Sequence, residues 1–357
     1  MLERPVLKPP NRHGAAPALE VALCPGVSDE IDQIAAEADP AHAFLRAAWF
    51  EAAGGEASTL VARRPGGTLL AVLPLSPIPS SLGLGRFVPG CYWPCRSFPV
   101  ALDARAGELQ ALLEDPAARA ALGPVWRLGP VNEDDPTARR LLAPAEAAGW
   151  RVLRRELSRS YVLDIPHLRS AGAWPRRTTL RKNRWFEKEL AKHGLLRFSF
   201  HSGADWTAEL FDTLAEIERN SWLSDRTDCS GAKFLSPRHR AFWENAASDP
   251  ALAARMRVAL LHIGGVPAAF QFDLDCAPTS WAIANSFDRR FARYSPGRVL
   301  CYRNFETLEE RGITRIDWGA GDPGYKRTMG AEAGAPIVDY LFVRSPAVAA
   351  LARPFWR

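Results

Sequence analysis

Apolar and polar positions follow the periods of helices and strands along the first part of the chain. The segment "DPAHAFLRAAWFEAAG" has helical spacing, with Phe44, Ala48 and Trp49 on one side. Two apolar runs around Pro-Gly-Gly in "STLVARRPGGTLLAVLPLSPI" predict a hairpin. Further on, the pattern predicts the apolar segment "RFVPGCYWP", a helix near residues 105–114, the strand "PVWRLGPV", the helix "TARRLLAPAEAAGW" and the strand "RVLRREL". We therefore expect a mixed α/β unit over residues 1–157, with an irregular leader at 1–27.

The second part of the chain repeats this order of elements at larger size, over residues 158–357. It begins with the strand "SYVLDI", and two predicted helices at 174–193 and 205–222 flank the strand "LLRFSFH". After the helix "PRHRAFWENAAS", the segment "RMRVALLHIGGVPAAFQFDLD" predicts two strands joined at Gly264-Gly265. The strand "TSWAIANSFD", the helix "VLCYRNFETLEERG", the strand "ITRIDWGAG", a glycine-rich loop and the strand "PIVDYLFVRS" follow. The similar order of elements in the two units suggests an old duplication.

Composition narrows the class of protein. The 357 residues have an ordinary apolar fraction and a net charge of +5, and no apolar run is long enough for a membrane span. The first residues carry charges and prolines where a signal peptide has its apolar segment, so we expect a cytoplasmic protein. The six cysteines lack the paired spacing of a zinc site, and we expect buried free thiols and no metal.

One segment, "RRTTLRKNRWFEKELAKHG", concentrates basic residues. Glu187 and Glu189 interrupt the series, which favours a solvated amphipathic helix. The alternative is a surface for nucleic acid or a phosphosugar, and tRNA near Arg181 and Lys182 is the particular form of it that we keep open.

The sequence lacks the motifs of several common reaction types. "GAGDPG" matches the dinucleotide motif G-x-G-x-x-G, but "YKRTMGAEAGAP" follows it without an apolar helical face, and we expect the strands before it to be antiparallel. The sequence has no P-loop, no His-Glu-x-x-His and no nucleophile elbow. Nicotinamide, nucleoside-triphosphate, zinc-protease and serine-hydrolase chemistry are therefore not expected.

The stretch "YSPGRVLCYRNF" predicts a helix with an unusually bare beginning. Ser295 is the expected N-cap, Pro296 the first helical residue, and Gly297 leaves the next backbone N–H without a covering side chain. Such a helix start is able to bind a phosphate, because N–H groups and the positive end of the helix dipole point at it. An ordinary cap with no ligand is the alternative. Arg293 and Arg298 would add positive charge beside a phosphate.

The run from "WAIANSFD" to "YKRTMGAE" resembles the GNAT acyltransferase superfamily, within its FemAB-like branch, often called CelD/BcsL and linked by name to cellulose biosynthesis. The matching features are Asp288, the Tyr-Ser-Pro-Gly turn, "IDWGAGD" and Tyr325-Lys326. The resemblance implies two tandem GNAT-like domains of α+β type, each with a mixed, mostly antiparallel sheet flanked by helices. It also implies an acyl-CoA donor, acetyl-CoA first, and an amine or hydroxyl acceptor on a sugar, cell-envelope or exopolysaccharide precursor.

Acyl transfer requires a base, a polarised carbonyl and an acid for the leaving thiolate. Asp317 and Asp322 are the candidate bases, with Glu218 as a third, and each aspartate is equally able to cap a turn. Tyr325 is the candidate acid, and an aromatic packing role is its alternative. Asn285 lies in the strand along which the donor's reactive carbonyl would run.

The acceptor is expected at the loop "WLSDRTDCSGAKF", with the polar contacts Asp225, Arg226 and Asp228. Lys326, in the glycine-rich loop, is a candidate to supply a point charge to a phosphate or carboxylate, and an ordinary surface position is its alternative. Two other functions stay open. Relatives in the Fem group use aminoacyl-tRNA, commonly with a helical hairpin arm that this sequence lacks, and a GNAT-like fold is also able to serve as a non-catalytic scaffold.

Overall fold

The computed structural model describes residues 19–79, 84–90, 95–172, 174–225, 231–322 and 324–356. Its strands are β1 Glu20–Pro25, β2 Ser58–Arg63, β3 Leu69–Pro77, β4 Gly85–Phe87, β5 Val125–Asn132, β6 Arg151–Asp164, β7 Leu196–Ser202, β8 Met256–Ile263, β9 Val266–Cys276, β10 Thr279–Phe287, β11 Arg315–Ala320 and β12 Glu332–Val343.

The helices surround these strands. They are α1 Glu30–Glu37, α2 Ala47–Glu51, α3 Ala106–Glu114, α4 Pro116–Leu122, α5 Pro136–Ala147, α6 Ile165–Ser170, α7 Arg177–Ala191, α8 Ala208–Arg219, α9 Pro237–Ala247, α10 Pro250–Arg255, α11 Pro296–Phe305, α12 Tyr325–Met329 and α13 Pro346–Ala352. Short 3-10 turns lie at Pro40–His42, Gly203–Asp205, Trp222–Asp225 and Arg289–Tyr294.

All described strands join one twelve-stranded sheet, in the order β1-β2-β3-β4-β5-β12-β6-β11-β10-β9-β8-β7. Two pairs, β4 with β5 and β10 with β11, are parallel, and the other pairs are antiparallel. The expected fold class, a mixed and mostly antiparallel sheet flanked by helices, is confirmed.

Two strands, β6 and β12, link the two halves of the sheet. β6 begins in the first unit and pairs with β11 through residues 160–164, and β12 ends the second unit and pairs with β5 of the first. β6 and β12 also pair with each other at the centre of the sheet. Because β6 runs unbroken through residues 157 and 158, the predicted domain boundary falls inside one strand. Division into two domains stays a prediction.

Three local predictions are wrong. The leader is not irregular throughout, because β1 pairs with β2 from Glu20 to Pro25. The segment after the glycine-rich stretch forms α12, a single helical turn between two glycines with positive φ, Gly324 and Gly330. The strands before "GAGDPG" are not all antiparallel either, because β10 and β11 are parallel and α11 connects them.

The sheet has two differently covered faces in its second half. α7 and α11 pack on one face, where Phe186, Leu190, Val299 and Leu300 meet β8 and β9. We call this the α11 face. Helices α8 and α9 and the aromatic residue Trp49 cover the opposite face, in the largest apolar cluster of the described chain. We call this the opposite face.

Within the described ranges, none of the helices is long and apolar enough to cross a membrane. In the same part of the chain, His, Cys, Asp and Glu side chains do not form a group of three that could hold a metal ion.

Candidate functional site

Strands β10 and β11 separate after a short parallel stretch. They pair only at Thr279–Trp281 and Arg315–Asp317. Beyond that point β10 continues to pair with β9 as far as Phe287, while from Ile283 onward its other edge has no partner among the described strands. The two strands therefore form a V whose apex is the Trp281–Asp317 pair, and backbone groups line its β10 side.

Helix α11 begins at the open side of this V, and its first turn is bare as the sequence predicts. Ser295 is the N-cap, but its side chain caps no N–H group. Its φ of +48° is the only positive value for a non-glycine residue in the described chain, so the entry to the helix is strained. The Ser295 carbonyl accepts from the N–H groups of Arg298 and Val299. The N–H of Gly297 has no partner among the described residues and is available to an anion.

Two of the predicted donor contacts lie beside this helix start. Arg293 is exposed, and its guanidinium carbon lies 5.9 Å from the centroid of the Tyr294 ring. Arg298 is half-buried, and its Nε has no hydrogen-bond partner within the ranges that the structure describes. A phosphate at the helix start would therefore meet positive charge.

Asn285 and Tyr325 meet at the open side of the V. Asn285, on β10, donates a hydrogen bond to the Tyr325 hydroxyl across 3.4 Å. Tyr325 is the first residue of α12 and also contacts the ring of Trp318. Desolvation raises the pKa of Tyr325 above its ordinary value, so its hydroxyl keeps its proton at neutral pH.

Asp317 lies at the apex, on the opposite face of the sheet from α11. Its residue is only 2% exposed, and its carboxylate accepts from the Gly319 N–H at 2.7 Å and the Asn132 amide at 3.1 Å. Burial raises the pKa of Asp317, against the effect of these two hydrogen bonds. The structure thus shows the turn-capping contact, while each carboxylate oxygen keeps a lone pair for another donor.

Two other predicted residues shape the loop that follows. Asp322 accepts from the N–H groups of Gly324 and Lys326, so its carboxylate caps the start of α12. Lys326 is buried, and its ammonium donates to the carbonyls of Trp318, Gly319 and Ala320 at 2.7, 3.2 and 3.0 Å. The expectation of a free point charge at Lys326 is wrong, because these carbonyls take all three N–H donors.

Glu218 is also anchored rather than available as a base. Its buried carboxylate accepts from the backbone N–H groups of Lys233, Phe234 and Leu235 at 2.8, 2.8 and 2.6 Å. It holds the end of the loop that we predicted as the acceptor wall. Within that loop Arg226 and Asp228 lie outside the described residues. Asp225 ends a 3-10 turn, and its contacts stay a prediction.

A cavity of about 130 Å³ lies on the opposite face of the sheet, beside the apex, and the sequence analysis missed it. Both halves of the chain line it. The polar residues of its lining are His42, Ser97, Asn132, Asp134, Asp135, Thr279, Arg315 and Asp317. No local sequence pattern marks these residues as a site. Strands and turns from distant parts of the chain meet only in the folded protein and bring them together.

A buried polar group under α11 was missed as well. The Asn304 amide donates to Asp273 on β9 at 2.7 Å, and the Gln271 amide donates to the same carboxylate. Burial raises the pKa of Asp273 to about 6. This contact ties the helix to the strand next to β10.

The family model of the acetyltransferase (GNAT) domain matches residues 176–327, which include β10, α11, β11 and the V between the strands. Residues 176–327 therefore match a GNAT acetyltransferase domain, which agrees with the resemblance that the sequence shows. None of the curated proteins matches the sequence.

Several solved structures share the fold. FemX superposes with a TM-score of 0.62 at 13% identity, over 94% of this chain and 100% of FemX. L-PGS from Bacillus licheniformis superposes with a TM-score of 0.53 at 11% identity, over 93% and 96% of the two chains. At these identities the likeness shows the fold alone.

Proposed function

We propose that this chain transfers an acyl group from acyl-CoA, with acetyl-CoA as the first candidate, to an amine or hydroxyl of a sugar, cell-envelope or exopolysaccharide precursor. The observation that carries the proposal is the bare start of α11 beside the open V of β10 and β11. The pyrophosphate of the donor binds at Gly297 and Arg298, with Arg293 near it. The thioester then extends along the free edge of β10 toward Asp317.

In the proposed reaction, residues at the apex and at the open side of the V have different roles. The acceptor's nitrogen or oxygen attacks the thioester carbonyl carbon, the new C–N or C–O bond forms, and the C–S bond breaks. Asp317 is the base that accepts the acceptor's proton, and the hydroxyl of Tyr325 protonates the leaving thiolate. Backbone N–H groups on the free edge of β10 stabilise the negative charge on the carbonyl oxygen.

An aminoacyl-tRNA donor is the second candidate, and the surface of α7 favours it. Glu187 pairs with Arg303, and Glu189 pairs with Lys192, so neither neutralises the basic residues beside it on the exposed side of the helix. These residues are Arg177, Arg181, Lys182, Arg184 and Lys188, and none of them has an acidic partner within the described ranges. A row of cations of this kind suits a polyphosphate backbone.

Thermal unfolding of the full chain tests the donor. We expect acetyl-CoA, a longer acyl-CoA and free CoA each to raise the midpoint, because a ligand that binds only the native state stabilises it. Uncharged tRNA is expected to leave the midpoint unchanged.

A shift with tRNA that falls steeply with salt, and no shift with any CoA, would instead select the second candidate. A shift with acyl-CoA but no release of free thiol with any amine or sugar acceptor would support a non-catalytic scaffold.

A further inference from the structure

The exposed side of α7 carries a row of cations that the proposed transfer from acyl-CoA does not use. Arg177, Arg181, Arg184 and Lys188 follow one another at intervals of four, three and four residues, which places them on one face of the helix. We call these four residues the α7 row. All four are exposed, and none has a side-chain hydrogen bond or ion pair within the described ranges. At 1.5 Å per residue the row is about 16 Å long.

The acidic residues of α7 do not neutralise the α7 row. Glu187 pairs instead with Arg303 on α11 at 2.9 Å. Glu189 pairs with Lys192, one turn further along α7, at 2.7 Å. The positive charge of the row therefore remains available to another molecule.

The α7 row also begins where a helix disfavours a cation. The positive end of the helix dipole favours acidic side chains in the first turn, where α3 has Glu108 and α8 has Glu209. α7 has no acidic residue in its first turn, and its N-cap, Arg176, makes no side-chain cap. Arg177 is its first residue. An anion supplied by another molecule would therefore stabilise this end of the helix.

A large apolar side chain lies within the α7 row. Trp185 is 50% exposed, four residues after Arg181 and three before Lys188. Its ring packs on that of Phe186, with 5.2 Å between the centroids. An indole among cations matches the surface of a bilayer, where lipid phosphates overlie an apolar layer and where tryptophan is enriched. The outside of a nucleic-acid duplex offers phosphates without that apolar layer.

We propose that α7 docks this protein on an anionic bilayer, with the α7 row against the lipid phosphates and Trp185 at the depth of the headgroups. The same cations favour the aminoacyl-tRNA donor considered above, and Trp185 is the observation that selects the bilayer instead. The inference goes beyond the proposed function and does not depend on the acyl donor. Docking of this kind brings the protein to any acceptor precursor that is itself held in the bilayer.

Sedimentation of the full-length protein with vesicles tests the docking. Vesicles of phosphatidylcholine with about one third phosphatidylglycerol are compared with vesicles of phosphatidylcholine alone. We expect binding to the anionic vesicles only, with an affinity that falls steeply as salt is added, because salt screens the attraction. Equal binding to both kinds of vesicle, or no binding to the anionic vesicles at low salt, would overturn the proposal.

Two double variants of equal net charge locate the surface. Arg181→Glu with Arg184→Glu reverses two cations of the α7 row and is expected to lower the vesicle affinity at least about tenfold. Arg139→Glu with Arg238→Glu is the matched control and should bind as the wild type does. Both control arginines are exposed on helices, α5 and α9, that pack in a different apolar cluster from α7, and neither has an ion pair in the described chain.

The thermal midpoint of each variant shows whether it folds. An equal loss of affinity in both double variants would mean that the overall charge attracts the vesicles, and it would overturn the docking surface. If the double variant of the α7 row does not fold, Lys188→Glu alone replaces it, with a loss of at least about threefold expected.

Uncharged tRNA and a tryptophan variant separate the bilayer from nucleic acid. Trp185→Ser keeps the cations and is expected to weaken vesicle binding at least about threefold while leaving any tRNA binding unchanged. Binding of tRNA that the double variant of the α7 row loses, with no binding to vesicles, would overturn the proposal in favour of nucleic acid. An unchanged vesicle affinity in Trp185→Ser would overturn the placement of the indole among the headgroups.

Discussion

The first helix after β4 and the first α-helix after β10 lie between parallel strands, and they begin in opposite ways. α3 lies between β4 and β5, and α11 lies between β10 and β11. Both have glycine at the second helical position, Gly107 and Gly297. At the third position α3 has Glu108, whereas α11 has Arg298.

The consequence is a difference in what each helix start is able to bind. The Glu108 carboxylate accepts from the Arg105 N–H at 2.8 Å and pairs with Arg64 at 2.8 Å, so α3 already holds an anion of its own. The N–H of Gly297 in α11 has no partner in the described chain, and positive side chains lie near it. Of these two helix starts, the start of α11 is the one that leaves a backbone N–H without a partner among the described residues.

The sharpest test makes the same substitution in both helices. Gly297→Glu places a carboxylate at the bare helix start and is expected to reduce acetyl-CoA affinity by at least about tenfold, enough to abolish the thermal shift. Gly107→Glu, at an exposed position with open space around it, is the matched control and should retain the wild-type shift.

Gly297→Ala separates charge from bulk, because a Cβ at this position lies 3.3 Å from the Phe287 ring in either variant. If Gly297→Ala loses the shift as completely as Gly297→Glu does, crowding and not anion competition explains the loss. A retained shift in Gly297→Glu would remove the phosphate site from α11.

The second test concerns how each helix is packed. α3 buries the apolar residues Leu109, Leu112 and Leu113, whereas α11 adds to its apolar contacts a hydrogen bond from Asn304 to the buried Asp273. The pKa of Asp273 is about 6 in the folded protein against an ordinary value of 3.8, so the native state binds the proton more tightly. The free energy of unfolding that this group contributes is present below pH 3.8 and is lost as the pH rises through 6.

Urea unfolding between pH 4 and 6 measures this contribution. We expect the stability of the wild type to fall relative to Asp273→Asn by up to about 2 kcal/mol across the interval, from about 1.4 kcal/mol per pKa unit. Asp212→Asn, at an exposed carboxylate paired with Arg240, is the control and should keep the wild-type pH dependence. An unchanged pH dependence in Asp273→Asn would refute the assignment.

The smallest effect is expected at the start of α3. Glu108→Ala leaves the Arg105 N–H and Arg64 without this carboxylate and should lower the free energy of unfolding by about 1–2 kcal/mol. Burial acts to raise the pKa of Glu108, but hydrogen bonds from Arg64 and Arg105 hold it below its ordinary value of 4.5. The stabilisation is therefore present above pH 4.5 and is lost as the pH falls through the folded-state pKa.

The control for this variant lies on the same helix. Gln110→Ala removes an exposed contact with Glu114 and is expected to change the stability by less than about 0.5 kcal/mol. A gain of acetyl-CoA affinity in Glu108→Ala, lost again when Gly107→Glu is added, would show that the first half retains a second donor site.

Local sequence determined the parts of this protein that depend on neighbouring residues. Pro296 and Gly297 specify the bare start of α11, and Gly264-Gly265 joins β8 and β9 at the predicted turn. These features follow from backbone preferences and capping, which act over a few residues. The fold class was predicted from the order of these local motifs along the chain.

Three features were decided by the tertiary structure alone. They are the pairing of β6 and β12 across the two halves of the sheet, the hydrogen bonds of the Lys326 ammonium to backbone carbonyls, and the cavity at Asn132 and Asp317. Residues far apart in the chain form each of these, and strand pairing across such distances depends on the packing of the whole sheet. A lysine in a glycine-rich loop has the same local sequence whether its ammonium points to solvent or to three carbonyls. Only the closed fold distinguishes the two, because burial then requires each polar group to have a partner.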